Sequence, residues 1–135
     1  MSHFTSIKTQ IRRVDTLVKA LADLGFSQVE VHETAQPLYG YQGDRRPETA
    51  EVIIRRQHLG ALSNDIGFCR LADGTLEAII SEYDSIQYSQ PWLNQLTQRY
   101  AYHTLMATVQ EQSLTLETEE LLSDGTVRVV VGKWV

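Results

Sequence analysis

The chain has 135 residues, a net charge of −5, 42% apolar and 21% charged residues, and three prolines. That is a single-domain length with enough apolar material for a core, and neither a disordered nor a collagen-like composition. One cysteine excludes an intrachain disulfide and a cysteine-built zinc cage, the acidic balance argues against general nucleic-acid binding, and no apolar run approaches the roughly 20 residues of a membrane helix.

The opening, Met1 to Lys8, lacks the apolar stretch of a secretory signal, so the chain reads as soluble and cytosolic, with no membrane insertion. Ser2 to Arg12 alternates weakly with β-branched residues and predicts a strand. The period then changes: Val14, Leu17, Val18, Leu21 and Leu24 form one helical stripe, with Asp15 as N-cap and Gly25 as the C-terminal stop. Phe26 to Glu33 alternates again, Val29 and Val31 facing inward. Thr34 to Glu48, with two prolines and two glycines in a polar context, predicts a long loop of the kind that is often functional.

Ala50 to Arg56 predicts a strand carrying Val52, Ile53 and Ile54, and His58 to Asn64 a connection. Asp65 to Leu71 and Thr75 to Tyr83 are strands around Asp73-Gly74, a hairpin signal. Pro91 to Glu111 predicts the second helix, Pro91 suiting its first position, with Leu93, Leu96, Tyr100, His103 and Ala107 on one flank. Leu114 to Leu122 and Thr126 to Val135 are strands around Asp124-Gly125, the last reading as a central strand. The order β-α-β-β-β-β-α-β-β predicts an α+β fold: a mostly antiparallel sheet of about six to seven strands with both helices on one face, as a single domain over residues 1–135. The expected core includes Leu17, Leu21, Leu24, Val29, Val31, Ile54, Leu96, Tyr100, Val129 and Val131.

Charge divides unevenly, +1 through His58 and −6 from Leu59 onward, which fits either two faces of opposite potential or ordinary solvated charge. The segment Tyr39-Gly40-Tyr41-Gln42-Gly43-Asp44-Arg45-Arg46 is the most unusual. Its glycines permit a sharp turn, its tyrosines offer flat amphipathic contact area, and its arginines suit a carboxylate or phosphate. Arg55, Arg56 and His58 follow. Strand alternation would send Arg55 and Arg56 to opposite faces, so that one of them joins the loop. An anion site and a tyrosine-capped loop with solvated arginines, Asp44 paired to Arg45 or Arg46, both fit. It is not a phosphate-binding P-loop, since no Gly-Lys-Ser/Thr follows. No histidine spacing matches a metal-binding motif, so no metal or other cofactor is expected. His103 reads as a hydrogen-bonded residue at the core edge. Cys69 reads as a packing residue, and no catalytic constellation emerges.

Several segments together resemble a known family. Met1-Ser2-His3-Phe4-Thr5-Ser6-Ile7-Lys8-Thr9, Leu21-Ala22-Asp23-Leu24-Gly25, Gly40-Tyr41-Gln42-Gly43-Asp44-Arg45, Asn64-Asp65-Ile66-Gly67-Phe68 and Gln98-Arg99-Tyr100-Ala101 are similar to the conserved chloroplast reading frame thirty-five family of cyanobacteria and algal plastids, a domain of unknown function. The resemblance covers nearly the whole chain. It implies a photosynthetic lineage and a cytosolic or stromal address, and it marks the Gly-Tyr-Gln-Gly-Asp loop as a family feature, but it supplies no reaction.

Two functions are consistent with these observations. One is an accessory protein without catalytic activity that binds another protein, through Tyr39, Tyr41, Asp44, Arg45 and Arg46. The other is a small anionic-ligand-binding protein or enzyme, with Arg45, Arg46 and either Arg55 or Arg56 as ligands and His58 nearby.

Overall fold

A computed structural model describes residues 3–111 in full, together with the backbone of 114–121 and 127–133. The chain runs β1 (Phe4–Lys8), α1 (Val14–Asp23), β2 (Glu30–Tyr39), β3 (Arg45–Ile54), β4 (Ile66–Arg70), β5 (Leu76–Ser81), α2 (Gln90–Glu111), β6 (Leu114–Leu121) and β7 (Val127–Lys133). Short 3₁₀ turns occupy Arg56–His58 and Asp84–Ile86. The class is α+β. The main sheet is antiparallel and has five strands in the order β1-β5-β4-β3-β2, so the single sheet of six to seven strands is not formed. β6 and β7 make a separate two-stranded ladder, which corrects the reading of the last strand as central. A run of valines satisfies the pattern of a buried strand, but it does not specify a second neighbour. The turn Asp124-Gly125 and the side chains of Val129 and Val131 lie outside the described residues.

Helix α1 buries Leu17, Ala20 and Leu21. It begins without the expected Asp15 cap: Arg13 holds the N-cap position and makes no side-chain cap bond. The entry to the helix is instead tied to α2, where the Tyr100 hydroxyl accepts from the backbone N–H groups of Arg12 (3.2 Å) and Arg13 (3.0 Å). Asp15 sits in the first turn, where its charge favours the helix dipole, and pairs with Arg13. The stop at Gly25 is as expected. Its φ is +101°, the Gly25 N–H bonds to the Ala22 carbonyl, and the Phe26 N–H reaches back to Leu21, a Schellman closure. Asp23 then ties α1 to α2 by accepting from Arg99 (2.9 Å) and pairing with His103 Nε2 (2.6 Å). Burial works against the Asp23 charge, but these two hydrogen bonds outweigh it and hold the carboxyl below its usual range.

Both helices pack on one sheet face. Leu17, Leu21, Leu93 and Leu96 close over Val52, Ile54, Ile66, Phe68, Ala78 and Ile80. Phe26, Tyr88 and Trp92 finish this core edge-to-face, with centroids 5.1–6.1 Å apart. Leu24, Val29 and Tyr100 pack at its margin. Val31 does not belong to the core, being 52% exposed. It pairs with Val52 and so lies on the helix-bearing face, but β2 is the edge strand and the helices cover the sheet's middle.

The expected loop over Thr34–Glu48 is the larger correction. Its ends are strand, and only residues 40–44 form the turn of a long β2–β3 hairpin. Pro37 is tolerated because β2 is an edge strand whose register shifts on both sides of it. In β3, pairing with β4 is confined to Val52–Ile54, so Pro47 lies beyond it. The hairpin crosses the second sheet face. Leu38, Ala50, Ile53 and Ile79 form a small buried cluster there with Phe4 and Cys69 at its edge, and the Arg46 guanidinium lies over the Phe4 ring at 5.6 Å. Gly67 permits the approach: a Cβ there would stand 2.6 Å from the Ala50 Cβ and 3.0 Å from Leu38. Burial, helped by Glu51 and Glu77, raises the Cys69 thiol pKa, so it stays protonated beside this cluster. Among the described residues, no helix is long and apolar enough to cross a membrane, and no group of three His, Cys, Asp or Glu side chains is placed to hold a metal ion.

Candidate functional site

Three loops meet at the end of the sheet where β3 and β5 finish: the hairpin turn, the segment 59–64 and the segment 82–87. What joins them is a frame of buried polar side chains, Asn64, Asp65, Ser81 and Asp84, each at most 2% exposed. Isolated, such groups would destabilise the fold, so each must be hydrogen-bonded. Asp84 Oδ2 accepts from the Asn64 backbone N–H (2.8 Å) and the Ser81 hydroxyl (2.7 Å). Asn64 donates to Ser81 Oγ (2.9 Å) and accepts, at its Oδ1, from the Tyr41 N–H (2.9 Å). Asp65 Oδ2 accepts from the Tyr39 N–H and from Arg55 Nη1, both at 2.8 Å, and Oδ1 accepts from the Arg56 N–H at 2.8 Å. The Asp65 N–H in turn donates to the Tyr39 carbonyl (3.0 Å). The hairpin turn is thus bolted at two residues to a rigid base.

Within the turn, the Gly40 N–H donates to the Asp44 carbonyl and the Gly43 N–H to the Gly40 carbonyl. Gly43 has φ +80°, and the Asp44 carboxylate folds over Gly40 so closely that a Cβ there would lie 2.5 Å from it. Tyr39, Tyr41, Asp44 and Arg45 are left exposed. Arg46 turns inward, paired to Asp44 at 3.4 Å and stacked on Phe4.

Alternation does not separate Arg55 from Arg56. The strand ends at Ile54 and the chain turns: the Arg55 guanidinium and the Arg56 backbone N–H both bond to Asp65, and both side chains line the cleft beside Tyr39. Arg55 is committed: it grips Glu30 with two bonds of 2.9 Å, holds Asp65, donates to the Pro37 carbonyl (3.1 Å) and lies over the Tyr39 ring at 5.6 Å. The Glu30 carboxyl also pairs with His32 at 2.8 Å. The hydrogen bonds from Arg55, aided by His32, prevail over burial and hold its pKa down to about 2, while Glu30 and Asp65 raise that of Arg55. Among the described residues, the Arg56 guanidinium donates only to backbone carbonyls, Ser63 from Nε (3.1 Å) and Ala61 from Nη2 (2.9 Å). His58 is exposed at the end of the 3₁₀ turn.

The Glu30 pairing has a measurable pH signature. A carboxyl whose pKa falls from 4.5 unfolded to about 2 folded stabilises the native state above about pH 4.5 and loses that contribution as the pH drops toward 2. Glu30 is 42% exposed, so screening reduces the stabilisation to about 1 kcal/mol. Denaturant melts of Glu30→Gln should show that deficit at pH 7 and converge with wild type as the pH falls toward 2. A pH-independent deficit would show that the carboxylate's charge is not the cause.

Surface apolar residues surround this base and were not apparent in the sequence. Leu62 is 59%, Tyr83 50% and Ile86 84% exposed. They border a cleft of about 460 Å³ with Leu59 at its side and Asp84 at its floor. A second cleft, about 310 Å³, opens between the hairpin and the 56–58 turn and is lined by Glu30, Tyr39, Arg55, Arg56, Gln57 and Asp65.

Comparison with known proteins adds a family without a reaction. The family model described as "Protein of unknown function (DUF1257)" matches residues 20–130. Three relatives carry the name "Uncharacterized protein ycf35". Those of Cyanophora paradoxa and Guillardia theta are each 27% identical to this chain, and that of Pyropia yezoensis is 26% identical. Each alignment covers 99% of this chain and 98% of the relative. No solved structure matches. The family model spans most of the sequence, from the last turn of α1 through both long hairpin strands, the polar frame and α2, and on that extent this chain belongs to the DUF1257 family of proteins of unknown function.

Proposed function

We propose that this chain is a protein-binding module without a reaction of its own, acting in the cytoplasm of a photosynthetic cell or in a plastid stroma, and that it docks its partner on the three-loop end of the sheet. The observation that carries the reading is the exposure of Leu62, Tyr83 and Ile86 around one cleft. Large apolar side chains grouped on a surface are costly to leave in water and are the usual mark of an interface. Here they stand on a base held by buried hydrogen bonds, so little conformational entropy is lost when a partner covers them. Tyr41 and Arg45 supply an amphipathic and a charged rim of the kind that anchors interfaces.

The test is a Leu62→Ser, Ile86→Ser double variant. Both side chains are exposed, so the melting temperature should stay within a few degrees of wild type. Tagged wild-type protein should retain a stoichiometric partner from a native lysate, and the purified partner should rebind wild type at least tenfold more tightly than the variant. Equal rebinding by both would place the interface elsewhere.

A further inference from the structure

We propose that the cleft between the β2–β3 hairpin and the Arg56–His58 turn is a binding site for a carboxylate group, held by Arg56 and bordered by Tyr39 and Arg45. The inference stands apart from the docking surface and does not depend on it. Its basis is an imbalance of hydrogen-bonding capacity. The acceptors in the cleft wall are engaged: both oxygens of Glu30 are held by Arg55, and both oxygens of Asp65 are held by Arg55 or by backbone N–H groups. The Arg55 donors are spent on Glu30, Asp65 and the Pro37 carbonyl. Arg56 differs. Among the described residues it makes no ion pair with an acidic side chain, and its Nη1 has no protein acceptor, its other nitrogens reaching only two backbone carbonyls. What this wall has to offer is a donor with positive charge, so the complementary ligand is an acceptor with negative charge.

The charge of the site chooses among anions. Glu30 and Asp65 balance Arg55 and Arg56, so the wall carries no net positive charge of its own, and a phosphate dianion would meet two carboxylates for the two cations. A planar monovalent carboxylate asks for less charge, and the guanidinium edge matches its two oxygens. Tyr39 contributes aromatic surface for an apolar body attached to that carboxylate. Arg45 is paired opposite Tyr39 across the hairpin, and it is exposed. It therefore adds positive potential at the same rim, screened by solvent. The carboxylate has two chemical sources: a free carboxylic acid, or the acidic end of a peptide.

The experiment follows backbone amide shifts of the ¹⁵N-labelled full chain. One arm titrates sodium benzoate against a sodium chloride control of equal ionic strength. The other titrates a short peptide with a free C-terminus against its amide. The expected result is saturable shifts at Arg56 and Gln57 with a Kd of about 1 mM or tighter in at least one arm. The tighter arm identifies the source. Gln57 is exposed and lines the cleft, so Gln57→Glu places a like charge there without disturbing a buried contact. It should weaken binding about tenfold or more, at a melting temperature unchanged within a few degrees. Arg45→Ala should weaken it about twofold to threefold, the share of a screened rim charge. The Leu62→Ser, Ile86→Ser variant should keep full carboxylate binding, which separates this site from the docking surface. The proposal is overturned if shifts stay linear in both arms, if the only saturable ligand is a peptide that binds equally well as its amide, or if saturation survives Gln57→Glu unchanged.

Discussion

Replacing Asp65 with alanine should cost the fold about 3–5 kcal/mol, the penalty for removing one member of a buried charge pair. Its side chain is completely buried and ion-paired to Arg55 at 2.8 Å. Truncation strands the backbone N–H groups of Tyr39 and Arg56 and takes one acceptor from Arg55 Nη1, which keeps the Pro37 carbonyl. Arg55 retains Glu30, but that pair is partly exposed and cannot compensate for the lost internal charge. The effect should also be local. Tyr39 is one of the two points where the hairpin is attached to the base, so amide exchange in the hairpin should accelerate more than in α1 or α2. Asp65→Asn should cost less, because it keeps a carbonyl oxygen for one of the stranded donors. A loss below about 1 kcal/mol for the alanine variant in a denaturant melt would show that the pair is dispensable.

Replacing Leu21 with alanine should cost about 2–5 kcal/mol, the range for emptying a packed leucine site. Leu21 is fully buried at the centre of the α1 stripe, and its carbonyl also closes the helix end by accepting from the Leu24 and Phe26 N–H groups. The backbone bonds survive the substitution, so the loss measures side-chain packing alone. For a domain of this size the melting temperature should fall by on the order of 10 °C. The cavity lies among Val52, Phe68 and the α2 leucines, which are held on both sides by sheet and helix and have little room to collapse. A fall of less than half a kcal/mol would mean that the stripe does not face the main core.

Both residues hold the same fold, yet they differ in how they reveal themselves. Leu21 declares its role by spacing: an apolar residue at every third or fourth position has one explanation, a buried helix face. The same period located α2, and alternation located the β4–β5 hairpin around Asp73-Gly74, where Gly74 has φ +88°. His103 at the edge of the core also followed from its place beside the stripe, and it meets Asp23 there. Asp65 gives no such sign. As the first residue of the predicted strand Asp65–Leu71 it belongs to no apolar period, and its partners Tyr39 and Glu30-bound Arg55 lie 26 and 10 positions away.

The hairpin shows where local reading stops. Two prolines and two glycines between Thr34 and Glu48 satisfy every rule for a loop, because those rules describe a strand with neighbours on both sides. Whether a strand has neighbours on both sides is a property of the sheet. β2 is at its edge, and the open side of β3 takes Pro47 without breaking a ladder. The same fact exposes Val31, which pairs on the correct face and still lies beyond the reach of the helices. The choice among the four arginines was likewise settled by distant groups. Arg46 is drawn to Phe4 and Arg55 to Glu30 and Asp65, leaving Arg45 and Arg56 toward solvent and the cleft.

By itself, then, the sequence determined the helices, the leucines they bury, the α+β class and the family resemblance, since each depends on periodicity or on short contiguous words. Tertiary structure alone decided the five-stranded sheet, the polar frame under the loops and the grouping of Leu62, Tyr83 and Ile86. Those three residues are separated by up to 24 positions and share no period. They meet because buried Asn64 and Asp84 must satisfy each other's hydrogen bonds, which draws the 59–64 and 82–87 segments together.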